Sequence, residues 1–117
     1  MKRILAACLI FSALPIVAQQ PERVVTPGFI ALNAASLGVA ALDVTMTRHC
    51  IDAGTCHETN PLMQGSAGRM YGVAVGTAFA SSVIDYEMER HGHKIGRLMP
   101  WLVISGHTVG IGTALRF

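Results

Sequence analysis

The stretch Asp43-Val44-Thr45-Met46-Thr47-Arg48-His49-Cys50-Ile51-Asp52-Ala53-Gly54-Thr55-Cys56-His57-Glu58-Thr59-Asn60-Pro61 decides how this chain is read. It starts inside one long apolar segment and stops just before another, and it carries much of the polar chemistry of an apolar protein. Charged groups this close to apolar, membrane-grade sequence are costly and need partners.

Outward from that stretch the chain reads as three apolar segments, about 28–47, 69–85 and 98–115. Each approaches the ~20 residues that a helix needs to cross a bilayer. In the first, Phe29, Ile30, Leu32, Leu37, Val39, Leu42 and Val44 together favour insertion by about 2–4 kcal/mol on a translocon scale. A central Asp costs about 2.5–3.5 kcal/mol on that scale, and Asp43 lies toward the segment end, within reach of the interface. The second segment is rich in Ala and Gly and is expected to insert only with its neighbours. Trp101 opens the third at a depth that suits an interfacial aromatic.

The composition agrees. Of 117 residues, 51% are hydrophobic and only 14% charged, against about 25% charged in a typical soluble domain. The net charge of +2 comes without a basic run, and aromatics are 6%, so no nucleic-acid surface is indicated. The length allows one domain. Residues 1–18 read as a secretory signal or an uncleaved N-terminal anchor. Lys2 and Arg3 are the basic start, Ile4 to Val17 the apolar core, and Ala18-Gln19 the cleavage point. Residues 19–27 are a polar lead-in. Cys8, inside the signal, reads as an apolar filler.

The expected fold is all-α: a compact bundle of three transmembrane helices in the bacterial inner (cytoplasmic) membrane. Small residues four apart recur in each segment, as Ala34/Gly38, Gly72/Gly76/Ala80 and Gly106/Gly110/Ala114. Such spacing lets helix backbones approach closely in lipid. A small β-barrel competes, because Tyr71 to Phe79 and Val109 to Phe117 alternate. Eight strands of about 9–11 residues plus turns would need more chain, and the Ala-rich runs favour helices. Topology is contested. A secretory start places the 48–68 loop in the cytoplasm, whereas Arg90, Lys94 and Arg97 in the next connection would then lie outside, against the positive-inside tendency. The start is given the greater weight.

Asn33, Ser36, Ala40, Asp43 and Thr47 step by three and four, so they share one stripe of a helix, expected to face partner helices. His107, midway along the third segment, must hydrogen-bond something, and Asp43 is a partner within its reach. Asp85 closes the second segment and is placed at the interface, with Glu89 one turn on. Glu58, Asn60 and Pro61 form a turn before the second segment, where Glu58 and Asn60 can cap the next helix or fold back onto Thr47 and Arg48. Cys50 and Cys56 suggest a disulfide if their loop faces an oxidising compartment. His49, Cys50, Cys56, His57, His91 and His93 are weak metal ligands by type, since the C-x5-C spacing is longer than that of a usual zinc site. His57-Glu58 lacks the second His of a zinc-protease motif, Gly65-Ser66-Ala67-Gly68 is not a nucleophile elbow, and Gly110-Ile111-Gly112 is not a dinucleotide loop. No enzyme motif and no cofactor follow.

The arrangement of Asp43, Thr47, Gly54, Glu58, Asn60 and Pro61 resembles a family of small, uncharacterised bacterial membrane proteins assigned to a domain of unknown function. Their mark is an Asp followed by Thr residues in one apolar helix, a Gly-containing turn, then Glu-x-Asn-Pro. The likeness extends loosely to His91-Gly92-His93-Lys94 and His107. Met46 stands where a second consecutive Thr is common, and Cys50 and Cys56 are additions to the pattern. The resemblance implies a multi-helix membrane domain and no reaction. The expected role is structural or interaction-type, with the bilayer and a second copy or another membrane protein as partners. The alternative is a metal- or proton-handling site built from Asp43, Glu58 and His107.

Overall fold

A computed structural model describes residues 23–116; the signal or anchor segment and the start of the lead-in lie outside the described residues. Three helices follow one another: α1 (Pro27–Asp52), α2 (Ala67–Arg90) and α3 (Leu98–Ala114), with a 3-10 turn at Lys94–Arg97 leading into α3. No strand occurs among the described residues: the alternating stretch from Tyr71 to Phe79 lies in α2, and the second is helical from Val109 to Ala114.

Each helix begins and ends for a local reason. Thr26 caps α1, its hydroxyl accepting from Phe29 N at 3.1 Å, and Pro27 occupies the first turn, where a missing N–H is harmless. Beyond the expected end near residue 47, α1 runs on to Asp52, and an Arg48–Asp52 ion pair at 2.7 Å spans its last turn. The first half of the polar stretch is therefore helical. Ser66 caps α2 by accepting from Arg69 N at 3.2 Å. Glu58 and Asn60 do not cap that helix. Glu58 Oε1 accepts from Asn60 N at 2.7 Å and Asn60 Oδ1 from Leu62 N at 3.0 Å, so both side chains close the turn in which they sit.

The helices pack pairwise, α1 against both others. Their contact faces are built mostly of short or polar residues, Asn33, Ser36, Ala40 and Asp43 from α1 and Ala74 and Ala78 from α2, with Val44 and Met70 as the large apolar side chains enclosed among them. The close approach on α2 thus runs along Ala74 and Ala78. Gly72 and Gly76 have nothing within 4 Å of where a Cβ would stand, and Ala80 is exposed. A spacing of four fits either stripe, and the one carrying Met70, Ser81 and Asp85 turns inward because it brings the polar groups with it. Large apolar side chains point outward, among them Phe79, Leu102 and Val109, all more than 60% exposed.

Among the described residues one helix, α1, is both long and apolar enough to cross a membrane by length and composition. At 1.5 Å per residue α2 spans about 36 Å, but it carries charged residues toward both ends, and α3 spans about 26 Å, a few Å short of the ~30 Å apolar core.

Ala78 is fully enclosed and Gly76 faces open space. Ala78→Leu is expected to cost about 1–3 kcal/mol by overpacking, read as a lowered melting temperature by circular dichroism in detergent micelles. Gly76→Ala should leave that temperature unchanged or raise it. The reverse order would mean that the Gly72/Gly76 stripe is the packed one.

Candidate functional site

Asp43 sits on the inward stripe of α1 and is only 8% exposed. Its Oδ2 lies 2.7 Å from His107 Nδ1 on α3. An ionised carboxylate only accepts, so in this contact His107 Nδ1 carries the proton and donates it. Asp43 Oδ1 receives a long contact, 3.5 Å, from the Thr47 hydroxyl one turn on.

Gly110 makes this pairing possible. A Cβ there would stand 2.5 Å from Asp43 Oδ1 and 2.8 Å from Oδ2, inside the space the carboxylate occupies. In the small-residue pattern of α3, Gly110 is thus the member that contacts the facing helix, through its polar group rather than its backbone. Gly106, one turn earlier, has nothing within 4 Å.

A second polar cluster ties the other ends of α1 and α2. Asp85 is fully buried, not interfacial as its place at the end of the apolar run suggests. Helix α2 continues past it to Arg90, and Asn33 Nδ2 donates to Asp85 Oδ2 at 3.1 Å. Asn33 Nδ2 also donates to Phe29 O at 3.0 Å, which fixes the amide orientation. Gly96 packs on Asp85 so closely that a Cβ would come within 3.0 Å of Oδ1. Asn33 Oδ1, Ser36 Oγ and Asp85 Oδ1 are buried without a hydrogen bond among the described residues. Glu89, expected to be Asp85's companion, instead pairs with Arg97.

Cys50 and Cys56 are joined in a disulfide, with Cα atoms 5.5 Å apart. That closes the end of α1 onto the loop holding Glu58 and Asn60. The closed loop is short, so its entropic contribution is about 2 kcal/mol. Thr55 reinforces it by donating to Cys50 O at 3.2 Å. Neither sulfur is then a thiolate available to a metal. His49 and His57 are exposed, and so are His91 and His93 in the α2–α3 connection, where His91 lies 3.8 Å from Glu87. No group of three or more His, Cys, Asp or Glu side chains able to hold a metal forms among the described residues.

Between α1, α3 and the disulfide loop lies a cleft of about 840 Å³. It is lined by Asp43, Thr47, Glu58, Asn60 and His107, which the sequence singled out, while Pro61 does not reach it. Leu102, Val103 and Met63 give it an apolar wall that the sequence did not announce, because no short-range pattern links residue 63 to residue 103. No protein-family model, characterised protein or solved structure matches the chain.

Gly110→Ala should displace Asp43 from His107 at a cost of about 1–3 kcal/mol, with loss of the hydrogen-bonded His107 Nδ1–H signal by nuclear magnetic resonance. Gly106→Ala should keep both stability and signal. Retention of the signal in Gly110→Ala would contradict the pairing.

Proposed function

We infer that the chain is a three-helix integral membrane protein of structural or binding type, whose Asp43–Pro61 locus joins two helix ends around a polar cleft. One observation carries this: polar side chains are enclosed in the bundle beside a small apolar core, while many of the large apolar side chains face outward. Asn33, Ser36, Asp43, Ser81 and Asp85 are enclosed, while Ile30, Leu42, Phe79, Trp101, Leu102 and Val109 are exposed. Lipid accommodates such an exterior, and polar groups inside a membrane bundle face one another. In α1 only 22% of the membrane-length window is buried, unlike the core helix of a soluble protein. Helices α2 and α3 do not stand alone as spans. Their support comes from pairing, since each offers its polar or small face to α1 and its apolar face outward. The family of small bacterial membrane proteins resembled through Asp43, Glu58, Asn60 and Pro61 accords with this reading.

The Cys50–Cys56 bond supports an oxidising side for the loop between α1 and α2. Arg90, Lys94 and Arg97 lie at the opposite end of α2, which supports a cytoplasmic side for the α2–α3 connection. Together these favour the orientation opposite to the one expected from the secretory start. The inner membrane is the fitting location. A second role rests on the Asp43–His107 contact alone: a carboxylate–imidazole pair beside a cleft can hold and pass a proton. Glu58, bonded to Asn60 N within its own turn, adds less to that role than its charge suggested.

In a Cys8→Ser background, the protein should stay in the membrane pellet after carbonate extraction. Cys50 and Cys56 should react with an impermeant maleimide in intact spheroplasts, and only after reductant. Release by carbonate would overturn the membrane placement. Labelling without reductant, and only once the inner membrane is breached, would overturn the orientation and the disulfide.

A further inference from the structure

The cleft beside Asp43 is chemically lopsided. Among the described residues its wall carries two carboxylates, Asp43 and Glu58, and no lysine or arginine. The other titratable groups on it are the imidazoles of His57 and His107. Each carboxylate spends one oxygen inside the protein: Asp43 Oδ2 on His107 Nδ1, and Glu58 Oε1 on Asn60 N. Asp43 Oδ1 keeps only the 3.5 Å contact from Thr47, and Glu58 Oε2 makes no hydrogen bond among the described residues. Asp43, 8% exposed, is a carboxylate largely removed from water without a full set of partners, which is costly, and a cation beside it offsets that cost; half-buried Glu58 adds a second negative charge to the same wall. Facing these oxygens is an apolar wall that includes Leu102 and Val103.

An inorganic ion would need its coordination shell completed by further oxygens, and about 840 Å³ is far more room than an ion occupies. That volume falls in the ~300–1,000 Å³ range of small-molecule sites, which are apolar with a few convergent polar groups. We propose that the cleft binds a hydrophobic organic cation, its charge held by Asp43 and Glu58 and its apolar body lying against the α3 wall. The proposal deepens the binding role inferred above for the Asp43–Pro61 locus. His107 acts as a positioning residue, holding Asp43 toward the cleft, and the disulfide holds the Glu58 loop in place across it.

Ethidium, a fluorescent apolar cation, is a direct probe, with anilinonaphthalene sulfonate as an apolar anion for comparison. Binding to the purified full-length chain in dodecyl maltoside is followed by fluorescence anisotropy. Ethidium should bind saturably and the anion should not compete. Glu58→Gln keeps the acceptor for Asn60 N but removes the charge, and should weaken ethidium about ten-fold or more. Gly106→Leu projects a side chain into the cleft from a position with open space around it and should abolish binding. Each variant is compared with the wild type by thermal melting; should Glu58→Gln not fold, Gly106→Leu decides alone. Ethidium affinity unchanged in the folded variants, absence of saturable binding, or displacement by the anion would overturn the proposal. Retention in the membrane pellet alongside such a result would leave the membrane placement standing, which separates the two failures.

Discussion

Asp43 is the constraint around which the bundle is arranged. A carboxylate on the inward face of an apolar helix, only 8% exposed, is largely cut off from bulk water, so the fold must bring it a donor. His107 is that donor, and it reaches Asp43 only because Gly110 leaves the space the carboxylate fills. This sets the depth at which α3 docks on α1. With His107 fixed at 43, the start of α3 and its 3-10 turn come level with Asn33 and Asp85 at the other end, where Gly96 closes over Asp85. The two polar clusters therefore act as registers about ten residues apart along α1. Between them the packing needs only small side chains, Ser36 and Ala40 against Ala74 and Ala78.

Such a design places specificity in hydrogen bonds and leaves the apolar bulk for the outside. In water, the exposure of Phe79, Leu102 and Val109 would favour aggregation; in lipid it costs nothing and the inner polar contacts strengthen for want of competition. The disulfide and the Glu58–Asn60 turn have a separate task. They hold the loop over the end of the α1–α3 groove, so that an open groove becomes a cleft with a polar rim.

Much of this was legible from periodicity. The steps of three and four from Asn33 to Thr47 lay out the inward stripe of α1, and a histidine in the middle of an apolar segment required a partner. Other features depended on information that local sequence lacks. Asp85 resembles an interfacial residue because the apolar run stops there, yet the helix continues for another turn and Asp85 falls on its inward stripe with Met70, Ala74, Ala78 and Ser81. Gly72/Gly76 and Ala74/Ala78 carry the same spacing, and only the company of Ser81 and Asp85 decides which stripe packs. Glu58 and Asn60 have the chemistry of helix caps, but they lie too far ahead of Ser66 and satisfy their own turn first. Met63 joins the cleft wall through a tertiary contact that no pattern encodes.

The most direct test of this account is a double-mutant cycle on Asp43 and His107, with Asp43→Ala, His107→Ala and the double variant unfolded in bicelles. Interhelical hydrogen bonds in membrane proteins couple by about 0.6–1.7 kcal/mol, and a pair that sets helix register should fall in or above that range. Strictly additive losses, with no coupling beyond experimental error, would contradict the claim that this contact holds the bundle together.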